Sequence, residues 1–133
     1  MSAETVVSSK NAKRTVCKRV WGEGMTVNEM SLAISARVLA LADSERQING
    51  VYIGDLLSWV MGRASADNVW ITIMSNANII AVASLIDVSC IILAEGVVPG
   101  DEVIELARTK GINLLCSEKT AYEIAVDLAG ILI

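Results

Sequence analysis

Residues 49–73 read NGVYIGDLLSWVMGRASADNVWITI, and the change of period inside this stretch decides the fold class. Val51, Tyr52 and Ile53 form a short β-branched and aromatic run between Gly50 and Gly54, as a brief strand would. After Gly54 the spacing becomes helical, with Leu56, Leu57, Val60 and Met61 on one side. A polar turn over residues 63–68 leads into a second apolar run, 69–73. Strand, helix and strand joined this tightly belong to one compact domain.

Working outward, Thr26 with Glu29 three residues on forms a capping box. Val27, Met30, Ile34, Val38 and Leu41 then trace one helical face, so a helix is expected from Thr26 to about Leu41, followed by a linker over 43–49. Downstream, residues 74–78 form a small polar loop. The segment 79–88 is read as a strand at 79–83 and a helical turn at 84–88. A buried strand is expected at 91–94, and a turn at 95–100 holds the only proline, Pro99. Residues 101–110 make an amphipathic helix stopped by Gly111, and 112–116 a further strand. Thr120 caps a last helix, with Glu123 completing a second capping box. This alternation predicts an α/β domain: a single compact unit with a largely parallel sheet of about five strands and helices on both faces.

Composition narrows the function classes. The 133 residues make one domain. Apolar residues reach 53% and aromatics only 4%, as expected of strands buried on both faces or of an oligomer interface. No apolar run approaches the roughly 20 residues that span a bilayer. Histidine is absent, which removes the commonest general base and metal ligand together. Cys17, Cys90 and Cys116 are far apart and odd in number, as reduced core thiols of a cytoplasmic protein are. Residues 1–24 hold five basic and two acidic residues, and the remainder six basic and thirteen acidic. An acidic body without a basic stripe argues against a nucleic-acid partner.

Residues 1–24 lack periodicity and lack the apolar core of a secretory signal. The codons for Trp21 to Gly24 would give a purine-rich run directly before the AUG of Met25, as a bacterial ribosome-binding site does. The expectation is a translated leader or a poorly ordered extension ahead of a domain at 25–133.

Three segments together resemble the DRTGG domain family. In Glu45-Arg46-Gln47-Ile48-Asn49-Gly50, Arg46 and Gly50 match the name motif, while Glu45 and Asn49 depart from it. The match continues through Tyr52-Ile53-Gly54-Asp55-Leu56-Leu57-Ser58, Trp70-Ile71-Thr72-Ile73 and Asn78 to Leu85. The segments Cys90-Ile91-Ile92 to Pro99 and Ile104 to Ser117 also look like the non-catalytic N-terminal domain of HPr kinase/phosphorylase. The resemblance implies an accessory α/β domain of the kind attached to phosphotransacetylases and to CBS domains of regulated pyrophosphatases, where it contributes to dimer contacts. It does not imply a kinase, because the chain has no G-x-x-x-x-G-K-[ST] phosphate loop. Arg46, Gly50, Gly54 and Asp55 form the structural motif. Gly50 is expected to supply a backbone conformation closed to other residues, and Asp55 to cap the following helix.

Site candidates are few. No catalytic residue, cofactor or metal ligand stands out, so the protein is read as a non-enzyme. Ser75, Asn76 and Asn78 follow one strand and Ser117, Lys119 and Thr120 follow another, at strand C-termini where open α/β sheets place ligand clefts. These six residues are the candidates for holding a nucleotide or phosphorylated metabolite. Trp70 is expected in the core. Trp59 and Met61 are the candidate self-association surface. The function expected is a regulatory or interaction domain, acting as a homodimer with a cytosolic protein partner, with small-molecule sensing as the alternative.

Overall fold

The computed structural model describes residues 24–132; the expectation for the N-terminal extension lies outside them, as does Cys17. Strand β1 (Met25–Thr26) enters helix α1 (Val27–Ala33), followed by β2 (Arg37–Ala40), β3 (Gln47–Ile48) and β4 (Gly50–Ile53). The rest alternates: α2 (Leu57–Arg63), β5 (Asn68–Thr72), α3 (Asn78–Ile86), β6 (Cys90–Leu93), α4 (Asp101–Lys110), β7 (Leu114–Cys116) and α5 (Ala121–Leu132). The main sheet has the order β2-β7-β6-β5-β4, with β2 antiparallel and all other pairings parallel. A small antiparallel pair, β1 with β3, stands beside it. This is the α/β architecture expected, five strands included.

Each central strand is buried on both faces because side chains alternate across the sheet. Trp70, Ile91, Leu93 and Leu114 face α2, α3 and α4, packing on Val60, Ile79, Ala83, Val103 and Ala107. Val69, Ile71, Cys90, Ile92 and Leu115 face α1 and α5, packing on Val27, Met30, Ile124 and Leu128. Trp70 is fully buried and its Nε1–H donates to Gly54 O at 2.9 Å, which removes the cost of burying an indole N–H. Cys90 and Cys116 are free, buried thiols.

Two expectations are corrected. The first helix does not run to Leu41. It ends at Ala33; Ser35 takes a left-handed backbone with φ 57°, and Arg37–Ala40 turns into a strand on β7. Ile34, Val38 and Leu41 fit a helical period only by coincidence of spacing. The segment 79–83 is not a strand: Asn78–Ile86 is one helix. β5 and β6 are parallel neighbours, and joining them requires a crossover that only this segment can supply.

The capping boxes form as expected. Glu29 N–H donates to Thr26 Oγ1 at 3.1 Å, and Thr26 N–H to Glu29 Oε1 at 3.0 Å. Glu123 N–H donates to Thr120 Oγ1 at 3.1 Å, and Thr120 N–H to Glu123 Oε1 at 2.9 Å. Gly111 closes α4 at φ 75°.

Candidate functional site

At the N-terminal ends of the parallel strands, the linker before β4 is held by one residue from each of the three turns that enter β5, β6 and β7. Asn113, from the turn after α4, accepts from Asp43 N–H at 2.8 Å and donates Nδ2 to Asp43 O at 2.9 Å. Arg46 donates Nε to Asp67 Oδ1 at 2.9 Å and a terminal nitrogen to Asp87 O at 2.7 Å. The same terminal nitrogen lies 2.8 Å from Asp67 and 3.0 Å from Asp87 carboxylate oxygens. Burial alone would lower the guanidinium pKa, but hydrogen bonds and charge from Asp67 and Asp87 outweigh it and raise it. Asp67 and Asp87 both sit at positive φ, 67° and 70°, which an Asp tolerates better than most residues. Ser89 Oγ lies within hydrogen-bond reach of Gln47 O and Asp67 O. Arg46 is therefore a cross-strap at the foot of the sheet, on the rim opposite the strand C-termini.

Of the remaining motif residues, Gly54 and Asp55 lie near the upper rim and Gly50 at the start of β4. Asp55 Oδ1 accepts from Thr72 Oγ1 at 2.7 Å and from Ile73 N–H at 3.0 Å. It thus ties the β4–α2 loop to the end of β5. The N-cap position of α2 belongs to Leu56, without a side-chain cap, so the capping role expected of Asp55 is corrected. Gly50 is corrected too. Among the described residues only Gly24, Gly96 and Gly111 are glycines at positive φ, so Gly50 has a backbone open to other residues. At Gly54 a Cβ would stand 2.9 Å from the Tyr52 ring, and that close approach is what the missing side chain permits.

The C-terminal rim carries the loops singled out for ligands. The two loops leave β5 and β7, which are separated by β6, so their strand ends lie about 10 Å apart. Asn76 Oδ1 accepts from Asn78 N–H at 2.9 Å, closing the first loop on itself; Asn76 and Asn78 are exposed and Ser75 half-buried. In the second loop, Ser117 Oγ accepts from Lys119 N–H at 3.1 Å, Thr120 caps α5, and Lys119 Nζ pairs with Asp127 at 2.6 Å. Helix α4 leaves β6 toward one face and α5 leaves β7 toward the other, so the switch point favoured for ligands lies between β6 and β7. There the loops are bridged, Glu95 N–H to Lys119 O at 2.8 Å and Gly96 N–H to Ser117 O at 2.9 Å. An open depression of about 290 Å³ on the outer side of α5 is lined by Lys119, Tyr122, Glu123, Val126 and Asp127.

Sequence reasoning missed two groups on this rim. Arg37 stands opposite Cys116 in the β2–β7 ladder, hidden by the helix expected there. Glu95 holds φ 64° beside Gly96 at 75°; a Glu-Gly pair after an apolar run was its signal.

The self-association candidates lie outside the core. Trp59 is 54% exposed, with the Arg63 guanidinium 3.9 Å over its ring, and Met61 is 45% exposed. Ile53 and Leu56 are exposed nearby along the chain, and Ile73 is exposed just past the end of the adjacent strand.

The chain is thus a small open-sheet α/β domain with bridged rim loops and exposed apolar side chains along one edge. The DRTGG domain model matches residues 29–130. The chain belongs to the DRTGG domain family. No curated protein matches it. Among solved structures it is similar to the CBS and DRTGG domains of the regulatory region of Clostridium perfringens pyrophosphatase, complexed with the activator diadenosine tetraphosphate. That likeness has a TM-score of 0.67 at 16% identity and covers 91% of this chain. The chain spans 57% of the length of that structure. No helix among the described residues is long and apolar enough to cross a membrane.

Proposed function

We propose that this chain is a non-catalytic regulatory domain that acts as a homodimer and passes its state to a cytosolic protein partner. The observation that carries the reading is the combination of DRTGG membership with large apolar side chains left uncovered, Trp59 foremost. Exposed apolar patches rimmed by polar residues mark interaction surfaces. On the upper rim Asp55 is engaged with Thr72, Lys119 with Asp127 and Thr120 with Glu123, which supports an interaction role over a catalytic one. Sedimentation of the purified protein tests the reading: a dimer is expected, and a strict monomer at the highest attainable concentration overturns it.

A second reading, a sensor of a nucleotide or phosphorylated metabolite at Ser75, Asn76, Asn78, Ser117, Lys119 and Thr120, draws support from the activator bound in the similar structure. Electrostatics weigh against it. Lys119 is already paired, and Asp55, Glu95, Asp101, Glu102 and Glu118 outnumber Arg37 on its rim, so a polyphosphate would enter a field largely of its own sign. A thermal-shift screen with nucleotides and sugar phosphates decides. Binding at a hundredfold excess over Kd adds about 2.7 kcal/mol, and no shift with any of them ends this reading.

A further inference from the structure

The main sheet has two edges, and they are finished differently. At β2 the register shifts between Val38 and Ala40, a bulge, and Arg108 donates to Leu39 O at 3.2 Å. A bulge and an occupied carbonyl blunt an edge against further pairing. β4 has neither: Gly50, Val51, Tyr52 and Ile53 carry no charge and no proline, and no described strand lies beyond them. Gly54 N–H donates to Ile71 O at 3.1 Å, so alternation turns the main-chain groups of Val51 and Ile53 away from β5, toward the open side.

The small β1–β3 pair lies on that same side. Asn49 N–H donates to Asp67 O at 3.0 Å, toward the turn that enters β5, whereas Val27 N–H donates to Arg46 O at 2.9 Å from the other side. Arg46 and Ile48 therefore face β1 as Val51 and Ile53 face the open edge. β3 and β4 are separated by Asn49 alone, and β1 is antiparallel to β3. The chain that precedes Met25 thus enters β1 from the direction of the open edge of β4. One extra residue at Asn49-Gly50 shifts the alternation between β3 and β4. Gly24, across from it, has φ 73°, the left-handed conformation that a bulge glycine takes. An irregularity on each strand cancels, and the register of Met25 with Ile48 continues upward. In that register Gly22 falls opposite Val51, Trp21 opposite Tyr52 and Val20 opposite Ile53.

We propose that Val20-Trp21-Gly22 continues β1 as a further strand of the main sheet, antiparallel to Val51-Tyr52-Ile53 of β4. The occupant is this chain's own segment for three reasons. It follows directly on β1, so its pairing closes no loop and costs little chain entropy. Its residue types suit the two faces of the edge. Val20 comes beside Ile53, which is 46% exposed, and Trp21 beside Tyr52, which packs on the α2 side where Leu56 is 60% exposed; β-branched and aromatic cross-strand pairs stabilise a sheet. Charge agrees as well. Residues 1–24 hold five basic and two acidic residues against six and thirteen in the remainder, and the same register carries Arg19 and Lys18 past Gly54 to Asp55 at the acidic upper rim. The proposal goes beyond the homodimer reading and does not rest on it. It counts residues 20–24 with the domain rather than with a leader.

The test uses the full chain, with amide hydrogen exchange followed over a range of concentrations. The Val51 and Ile53 amides are expected to exchange at least about tenfold more slowly than unstructured amides, at a rate independent of concentration. Val20→Pro removes the N–H that meets Ile53 O. It is expected to speed exchange at Ile53 at least about tenfold while the Ile71 and Ile92 amides inside the sheet keep their protection. Ala12→Pro, outside the paired segment, is expected to change neither. A second measurement avoids proline. In a chain carrying Cys17→Ser, Trp21→Cys and Tyr52→Cys, the two new thiols stand at a non-hydrogen-bonded pair with Cα atoms about 4.5 Å apart. Mild oxidation is expected to join them within one chain, and this pair decides if Val20→Pro also loosens the sheet interior. Free exchange at Val51 and Ile53 in the unaltered chain overturns the proposal, as does a cysteine pair that forms no link within the chain. Protection that arises only as concentration rises gives the edge to another copy and overturns it too. A monomer at every concentration with both amides protected supports this strand while ending the homodimer reading.

Discussion

At the scale of single residues, Arg46 and Cys90 set the testable energetics. Arg46 reaches three acceptors on two turns, and its side chain is only 25% exposed. Arg46→Ala leaves two neighbouring carboxylates without their cation and Asp87 O with only the Asp67 N–H as donor. Because both carboxylates keep contact with solvent, the expected loss is about 1–2 kcal/mol in urea unfolding. Arg46→Lys should recover less than half of it, since one ammonium cannot reproduce the guanidinium fork. Cys90 is wholly buried, and desolvation raises its thiol pKa well above the ordinary 9.0. The folded state thus keeps this proton where the unfolded chain releases it. That stability is fully present below pH 9 and is lost as pH rises further, by about 1.4 kcal/mol per pH unit for one such group. Urea midpoints measured from pH 8 upward should fall more steeply in the unaltered protein than in Cys90→Ala, and parallel curves would remove the assignment.

At the scale of elements, helix ends were legible where side chains make them and illegible where the chain's topology does. The two Thr–Glu capping boxes and the Gly111 stop could be read from residue type and spacing, because each end is built from its own side chains. Thr120→Ala and Thr26→Ala should each cost about 1 kcal/mol, measured as a shift in the unfolding midpoint. The end of α1 was not legible. Ser35 takes a left-handed backbone without glycine, and β2 exists because β7 offers it a partner some eighty residues away in sequence. Likewise Ile79, Ile80 and Val82 have strand-like propensity, yet the crossover between β5 and β6 makes them helical. Of the candidate site, the loops at the strand C-termini were placed by order alone, but Lys119 with Asp127 and the bridge from Glu95 needed three dimensions. Ser35→Gly separates the two views of α1. A helix running through residue 35 would lose about 1 kcal/mol with glycine inside it. The observed left-handed turn predicts no loss and a gain of up to about 1 kcal/mol. Urea unfolding reads the sign directly.

At the scale of the whole molecule, charge and apolar surface pull association in opposite directions. Each chain carries a formal net charge of −4, so two copies repel, while in the proposed dimer burial of Trp59 and its exposed neighbours would draw them together. Salt screens the first effect within about 10 Å at 0.1 M and leaves the second nearly untouched. Association should therefore hold or tighten as sodium chloride is raised, whereas an ion-paired interface would loosen. If folding and pairing are coupled, the unfolding temperature must depend on protein concentration, because mass action favours the paired state. For a domain of this length a tenfold increase in concentration is expected to raise Tm by about 2–4 °C. The measurement is a calorimetric series over two decades of concentration at low and high salt. A Tm that does not move, or that falls steadily with salt, would remove self-association through the exposed apolar surface at Trp59 as the way this domain transmits its state.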